Sequence, residues 1–264
     1  MIRSKIAAMR FIALVFCVGW LLGLPAVARS QQEMVTLQTR PGVTQSYFLT
    51  SIPKDLGAVA ILFSGSGGLI QLRSENGQPK FKQGNFLVRS RAEFVKRGVV
   101  AAILDAPSDQ QAGWGMTDEF RLGEMHFVDV SAVTGDLAKR FPATPLFLIG
   151  TSRGTISAAA TGARLGEGVA GVVLTSTLFR PASRKSKEPG PGLSRFDFAT
   201  IKAPILFVHH ASDQCELTPY SDAARLSNKY PLISVSGGAP PRSGPCDPFS
   251  AHGYLVKKRK LSNR

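Results

Sequence analysis

The stretch Gly150-Thr151-Ser152-Arg153-Gly154 sets one serine between two glycines, after the apolar run "PLFLI" and before the small-residue run "TISAAATGARL". A serine hydroxyl attacks a carbonyl only when a neighbouring base takes its proton and a third group orients that base. Four histidines are available for the task. His126 falls ahead of a predicted helix with no strand end beside it, and His209 and His210 close the run "APILFVHH", where at least one must point into the sheet packing. His252, in the Gly- and Pro-flanked loop "DPFSAHGYL", is the best placed general base. Asp213, in "HHASDQC", follows a strand end by a few residues, where a carboxylate can accept the Nδ1 proton of an imidazole and stabilise the imidazolium formed during attack. Taken alone, Asp213 also reads as a turn or helix cap. Taken together, Ser152, Asp213 and His252 each follow a different predicted strand, in the chain order of a nucleophile elbow.

Such residues need a frame. After the N-terminal segment, "MVTLQT" and "VTQSYFLT" flank Arg40-Pro41-Gly42 and predict a β-hairpin. Apolar runs of strand length then recur at 58–63, 99–104, 145–149, 169–174 and 203–208, with a last strand near 232–235, separated by stretches long enough for helices, notably 86–96 and 127–141. Continuous rather than alternating hydrophobicity means strands covered on both faces. Strand and helix in alternation make a mostly parallel, doubly wound α/β sheet whose ligands sit at the carboxyl ends of the strands. Residues 179–200, rich in Pro, Gly, Lys and Arg, form a long loop that reads as a solvated surface loop or as a lid.

On these residues the chain, over roughly 34–256, resembles the α/β-hydrolase superfamily, in a serine-hydrolase, esterase-like form without a large cap domain. The resemblance implies the α/β-hydrolase fold with the N-terminal β-hairpin added to it, and Ser152, Asp213 and His252 as the triad. It also implies that Arg153 lends its backbone N–H to an oxyanion hole, and that a second donor comes from Ser64-Gly65-Ser66-Gly67-Gly68. There Ser66 N–H is the first choice and Gly65 or Gly67 the alternates. Ser64 stands where family members often carry a histidine. The same glycines do not make a dinucleotide loop: counting from Gly65, the last small residue of that fingerprint falls on Ile70. No Walker motif occurs either, so neither cofactor nor metal is called for.

Arg3, Lys5 and Arg10, the uncharged stretch 11–24 and the small residues at 25–28 predict a signal peptide over residues 1–28, cleaved near Ala28. The competing reading is a retained membrane anchor over residues 11–28. The mature protein would then be a single domain over 29–256, periplasmic or secreted, with a basic tail at 257–264. Its 29 Lys and Arg against 18 Asp and Glu leave a net charge of +11. That charge favours an anionic envelope surface or an acidic substrate, while zinc spacings and aromatic-basic interleaving typical of nucleic-acid modules are missing. Cleavage would leave Cys215 and Cys246, an even pair in an oxidising compartment, which predicts one disulfide joining the acid loop to the base loop.

The expectation is therefore an exported serine hydrolase that cleaves a carboxylic ester through an acyl-enzyme and acts on a small-molecule acyl substrate. The alternatives are a peptidase, thioesterase or lipase with the same triad, and a non-catalytic envelope binding protein on the same scaffold. Specificity is expected from "SENGQPKFKQGN", residues 105–109, the surroundings of Trp114 and the 179–200 loop.

Overall fold

In the computed structural model, residues 32–183 and 188–255 are described; the expected leader (1–28) and basic tail (257–264) lie outside the described residues. The predicted hairpin forms from β1 (Glu33–Arg40) and β2 (Val43–Leu49), paired antiparallel from Glu33 opposite Leu49 to Arg40 opposite Val43. The apolar runs become β3 (Ala58–Phe63), β6 (Val99–Leu104), β7 (Leu146–Thr151), β8 (Gly171–Thr175), β9 (Ile205–His210) and β10 (Leu232–Val235). Between β3 and β6 the chain adds a small hairpin, β4 (Arg73–Glu75) with β5 (Gln78–Lys80), then helices α1 (Phe86–Arg89) and α2 (Arg91–Val95). The remaining helices are α3 (Asp118–Leu122), α4 (Glu124–Arg140), α5 (Gly154–Leu165) and α6 (Tyr220–Leu226).

The main sheet runs in the order β1-β2-β6-β3-β7-β8-β9-β10. Every pairing from β6 through β10 is parallel, and β2 is antiparallel to both β1 and β6. The continuous apolar runs are explained by cover on both faces. Val59, Ile61 and Phe63 of β3 join α4 and α5 in the larger core, through Val130, Leu137 and Ile156. The alternate residues Ala60 and Leu62 pack with Leu87 and Val88 of α1 in a second core. Side chains on a strand alternate faces, so one short segment feeds both layers.

Two helix expectations are corrected. The single helix predicted over 86–96 is two short ones, because Ser90 sits at ψ 0°, ending α1 and starting α2. The helix predicted from 127 begins at Glu124, so His126 lies inside the first turn of α4 rather than ahead of it. A buried ion cluster ties the hairpin to this helix: Arg40 Nε donates to Asp129 Oδ1 and Arg40 Nη1 to Asp109 Oδ2, each at 2.9 Å. The carboxylates raise the Arg40 guanidinium pKa, with Asp129 the larger cause.

His126 is fully buried between Phe63 and Phe120, with ring centroids 6.2 and 5.7 Å away, and neither ring nitrogen has a partner among the described residues. Burial, then the Arg121, Arg40 and Arg164 charges, push its pKa down to about 3. A native pKa below the unfolded value means that the unfolded chain takes up a proton that the folded one refuses. The stability is therefore complete above about pH 6.5 and is lost as the pH falls from there toward the native pKa, by about 2 kcal/mol at pH 5 from this one group. Urea unfolding at pH 7 and pH 5 tests this: His126→Leu should remove that share of the acid loss, and an unchanged pH slope would refute the assignment.

Candidate active site

The pentapeptide straddles the end of β7 and the start of α5, with Ser152 at the tip in a left-handed conformation, φ +52°. Such a φ is strained for a residue with a Cβ and needs surroundings that enforce it. The flanking glycines supply the room. A Cβ on Gly150 would lie 2.4 Å from Gly154 O, and one on Gly154 would lie 2.1 Å from Phe63 O. The turn is pinned by Ser152 N–H to Thr175 O on β8 at 3.0 Å, and by Thr155 Oγ1 donating back to Ser152 O at 2.6 Å.

Asp213 and His252 come together as the sequence predicts. His252 Nδ1 lies 3.0 Å from Asp213 Oδ2, and the two side chains are 4% and 0% exposed, so the contact is screened from water. A carboxylate only accepts, so Nδ1 holds the proton and Nε2 keeps its lone pair for a base's work. Sequence reasoning missed Thr218, whose Oγ1 donates to Asp213 Oδ2 at 2.9 Å and lies 3.0 Å from His252 Nδ1. The second carboxylate oxygen takes the Cys215 N–H at 2.9 Å. No motif marks Thr218; it starts the approach to α6, and only the fold brings it under the imidazole.

The backbone around His252 is held as firmly. Ser176 Oγ donates to His252 O at 2.8 Å, Tyr254 Oη accepts from Ser176 N–H at 3.1 Å, and Arg89 donates to Gly253 O. Cys215 and Cys246 form the expected disulfide, closing a separation of 31 residues between the acid and base loops. At least one of His209 and His210 was expected to be structural, and both have partners within the fold. His209 Nε2 accepts from Thr177 N–H, and burial pushes its pKa down to about 4; His210 Nε2 pairs with Gly237 O.

The glycine-rich loop after β3 passes directly over the serine: a Cβ on Gly65 would come within 3.1 Å of Ser152 Cβ. Ser66 is left-handed, φ +48°. Neither Ser66 N–H nor Arg153 N–H has a hydrogen-bond partner among the described residues. Both are free to serve a ligand oxygen. Ser66, Ser152 and His252 line one cleft of about 480 Å³, whose outer wall carries Lys82, Asn85 and Phe86. The Ser152 hydroxyl makes no hydrogen bond to His252 among the described residues. In unliganded sites of this chemistry that contact is often long and tightens when substrate binds.

No protein-family model matches the sequence, and no curated protein does. Solved structures do. An alpha-beta serine hydrolase homologue from Coxiella burnetii is similar over 78% of this chain and 88% of its own, at 19% identity and a TM-score of 0.53. A serine hydrolase without lid from Xanthomonas campestris is similar over 78% and 84%, at 16% identity and 0.52. Est1E from Butyrivibrio proteoclasticus, with ferulic acid bound, is similar over 77% and 90%, at 16% identity and 0.54. The chain has the α/β-hydrolase fold.

On that fold the four expected specificity segments divide. The cleft at Ser152 takes Lys82, Gln83 and Asn85 from the first. Asp105 is corrected to a structural role, since its carboxylate accepts the N–H groups of Ile70, Gln71, Leu72 and Ala106. Burial still keeps its pKa above the usual carboxylate value, against the pull of those four bonds. Asp109 is spent on Arg40. Trp114 and the 179–200 loop line a separate cavity of about 450 Å³ beside the Arg153 side chain. Described residues of that loop are anchored: Phe179, Leu193 and Phe198 are buried in the core, and Glu188 Oε2 lies 2.9 Å from Arg153 Nε. Among the described residues no cluster of three His, Cys, Asp or Glu side chains could hold a metal ion, and no helix is long and apolar enough to cross a membrane.

Opening the disulfide tests how far the hydrolase fold depends on it. Releasing a loop of 31 residues from the unfolded chain should cost about 3 to 4 kcal/mol of stability by the chain-entropy argument. The paired change Cys215→Ser and Cys246→Ser should lower the urea midpoint, and reduced wild-type protein should unfold with it; coincident curves for oxidised and reduced protein would rule this out.

Proposed function

We propose that this chain is a serine hydrolase that cleaves carboxylic esters through an acyl-enzyme. The observation that carries the reading is His252, hydrogen-bonded to Asp213 and Thr218 behind it, lining one cleft with a serine on a strained turn. Ser152 Oγ attacks the acyl carbonyl while His252 Nε2 takes its proton, and Asp213 stabilises the imidazolium that results. The N–H groups of Arg153 and Ser66 receive the oxyanion, each worth about 2.7 to 4 kcal/mol in the transition state. His252 then returns the proton to the leaving alcohol, and a water activated by the same nitrogen releases the acid.

Esters rank ahead of peptides because an alkoxide leaving group asks less of the site than an amine. Lys82 on the cleft wall, with no acidic side chain among the described lining residues, suits neutral or anionic acyl substrates. Export belongs to the same reading: the leader-like residues 1–28 and a disulfide between the two catalytic loops fit an oxidising compartment.

A fluorophosphonate probe at pH 8, followed by peptide mass spectrometry, tests the nucleophile. Ser152 should carry the adduct, and Ser152→Ala and His252→Ala should carry none. A well-folded wild type that does not label sinks the catalytic reading. The same sample reports export, because intact mass should place the mature N-terminus at Arg29.

Ester turnover tests the supporting groups. Asp213→Asn should lower kcat by about 10⁴-fold, from the wrong imidazole tautomer. Thr218→Val should cost about tenfold, the worth of one hydrogen bond of about 1 to 1.5 kcal/mol. Unchanged kcat in Thr218→Val would show that Asp213 alone orients the ring.

A further inference from the structure

Arg121 lies on α3 and is 1% exposed, an unusual place for a guanidinium. Its Nη2 donates to Ser66 O and its Nη1 to Ser157 Oγ, each at 2.7 Å. Ser66 belongs to the glycine-rich loop after β3 and Ser157 to α5, the helix that follows Ser152. One side chain therefore ties together the two segments expected to supply the oxyanion donors. Its charge is balanced nearby, since Asp118 and the Glu188 carboxylate, the partners of Arg153, also act on it. Burial and the Arg153 charge lower its pKa only to about 10, so it remains a cation at neutral pH.

The loop is fastened carbonyl by carbonyl. Gly65 O accepts from Gly68 N–H at 3.1 Å, Ser66 O from Arg121, and Gly67 O from Met116 N–H at 2.9 Å. The N–H groups of Ser66 and Gly67 have no hydrogen-bond partner among the described residues. In a trans peptide the C=O and N–H point in opposite directions, so drawing Ser66 O toward Arg121 turns the Gly67 N–H away from it. The guanidinium also packs against the loop, since a Cβ on Gly68 would lie 3.0 Å from Arg121 Nη2. Without such a restraint a non-glycine residue at φ +48° would relax.

We propose that Arg121 is a positioning residue for the oxyanion hole: its fork holds the 65–68 loop against α5 so that the loop's unpaired N–H groups stay directed at the reacting carbonyl. The inference rests on the ester-hydrolase reading above, and its test separates the two.

Arg121→Met, Arg121→Lys and Ser157→Ala are compared with wild type in the full mature chain by three measurements: fluorophosphonate labelling, steady-state hydrolysis of a p-nitrophenyl ester, and hydrogen exchange of the 64–70 segment. Arg121→Met should lower kcat by about 10- to 100-fold with KM within twofold, less than the loss of a whole donor, and should speed exchange in 64–70. Arg121→Lys, which keeps the charge but loses the fork, should recover part of kcat. Ser157→Ala removes only one anchor, so it stays folded if Arg121→Met does not, and should show a smaller loss of the same kind. Unchanged exchange in 64–70, or a kcat per folded molecule equal to wild type, overturns the inference while Ser152 labelling stands. A wild type that never labels overturns the hydrolase reading and this role with it.

Discussion

The site depends on one close approach. The backbone of α5 at Gly154 meets the end of β3 at Phe63 O closely enough that a single methyl group would collide with it. That contact lets the chain reverse sharply at Ser152, at the carboxyl end of β7, and leaves the Arg153 N–H unspent among the described residues, while Thr155 and Ile156 N–H are taken by Ser152 O and Arg153 O. The loop after β3 begins at the same point, so the contact also fixes how near Gly65 passes to Ser152. Ser152 and both segments proposed to receive an oxyanion thus share one steric origin. Strain in the turn is offset by the buried sheet on either side, where β3 and β7 pair in parallel over five residues.

The pair Asp213 and His252 is assembled beyond β9 and β10 by hydrogen bonds rather than by sterics. Asp213 follows β9, His252 lies far beyond β10, and no regular element supports either. Backbone-directed bonds replace one: Ser176 holds the His252 carbonyl, Arg89 holds that of Gly253, and the Cys215–Cys246 bond closes the loop between them. The Ser176 and Arg89 anchors act on the main chain, and Asp213 acts on Nδ1. None restricts the side of the imidazole that faces the cleft, where the contact with Ser152 is still open.

What the sequence revealed follows the same division. The elbow was legible because steric demands leave a residue-type signature: only glycine fits at 150 and 154. Five apolar runs located the sheet strands to within two residues, since burial on both faces imposes continuous hydrophobicity. The contact between Asp213 and His252 and the Cys215–Cys246 bond follow the sequence expectation, and Ser152 stands on the expected strand-to-helix turn. Thr218, Ser176 and Arg89 did not announce themselves, because a hydroxyl or guanidinium used to hold a distant carbonyl has no preferred neighbours in the chain. Ser90 was invisible for a related reason: one serine does not break an apolar pattern, yet it divides the helix. Asp105 was misread as a specificity residue because a carboxylate just after a strand looks the same whether it faces a ligand or four backbone N–H groups.

The basic composition carries a similar lesson about where charge is spent. A net charge of +14 invites thoughts of acidic partners, but several of the arginines behind it are internal fasteners. Arg153 is 5% exposed and paired with Asp118 and Glu188, Arg40 spans Asp129 and Asp109, and Arg121 is the most deeply buried of the three. Arginine suits this use because its planar fork reaches two acceptors at once and stays charged when buried, where lysine would tend to give up its proton. In this molecule these guanidinium groups join separate segments of the chain: Arg40 the N-terminal hairpin to α4, Arg121 the loop after β3 to α5. Lys82, by contrast, is exposed and lines the cleft that holds Ser152 and His252.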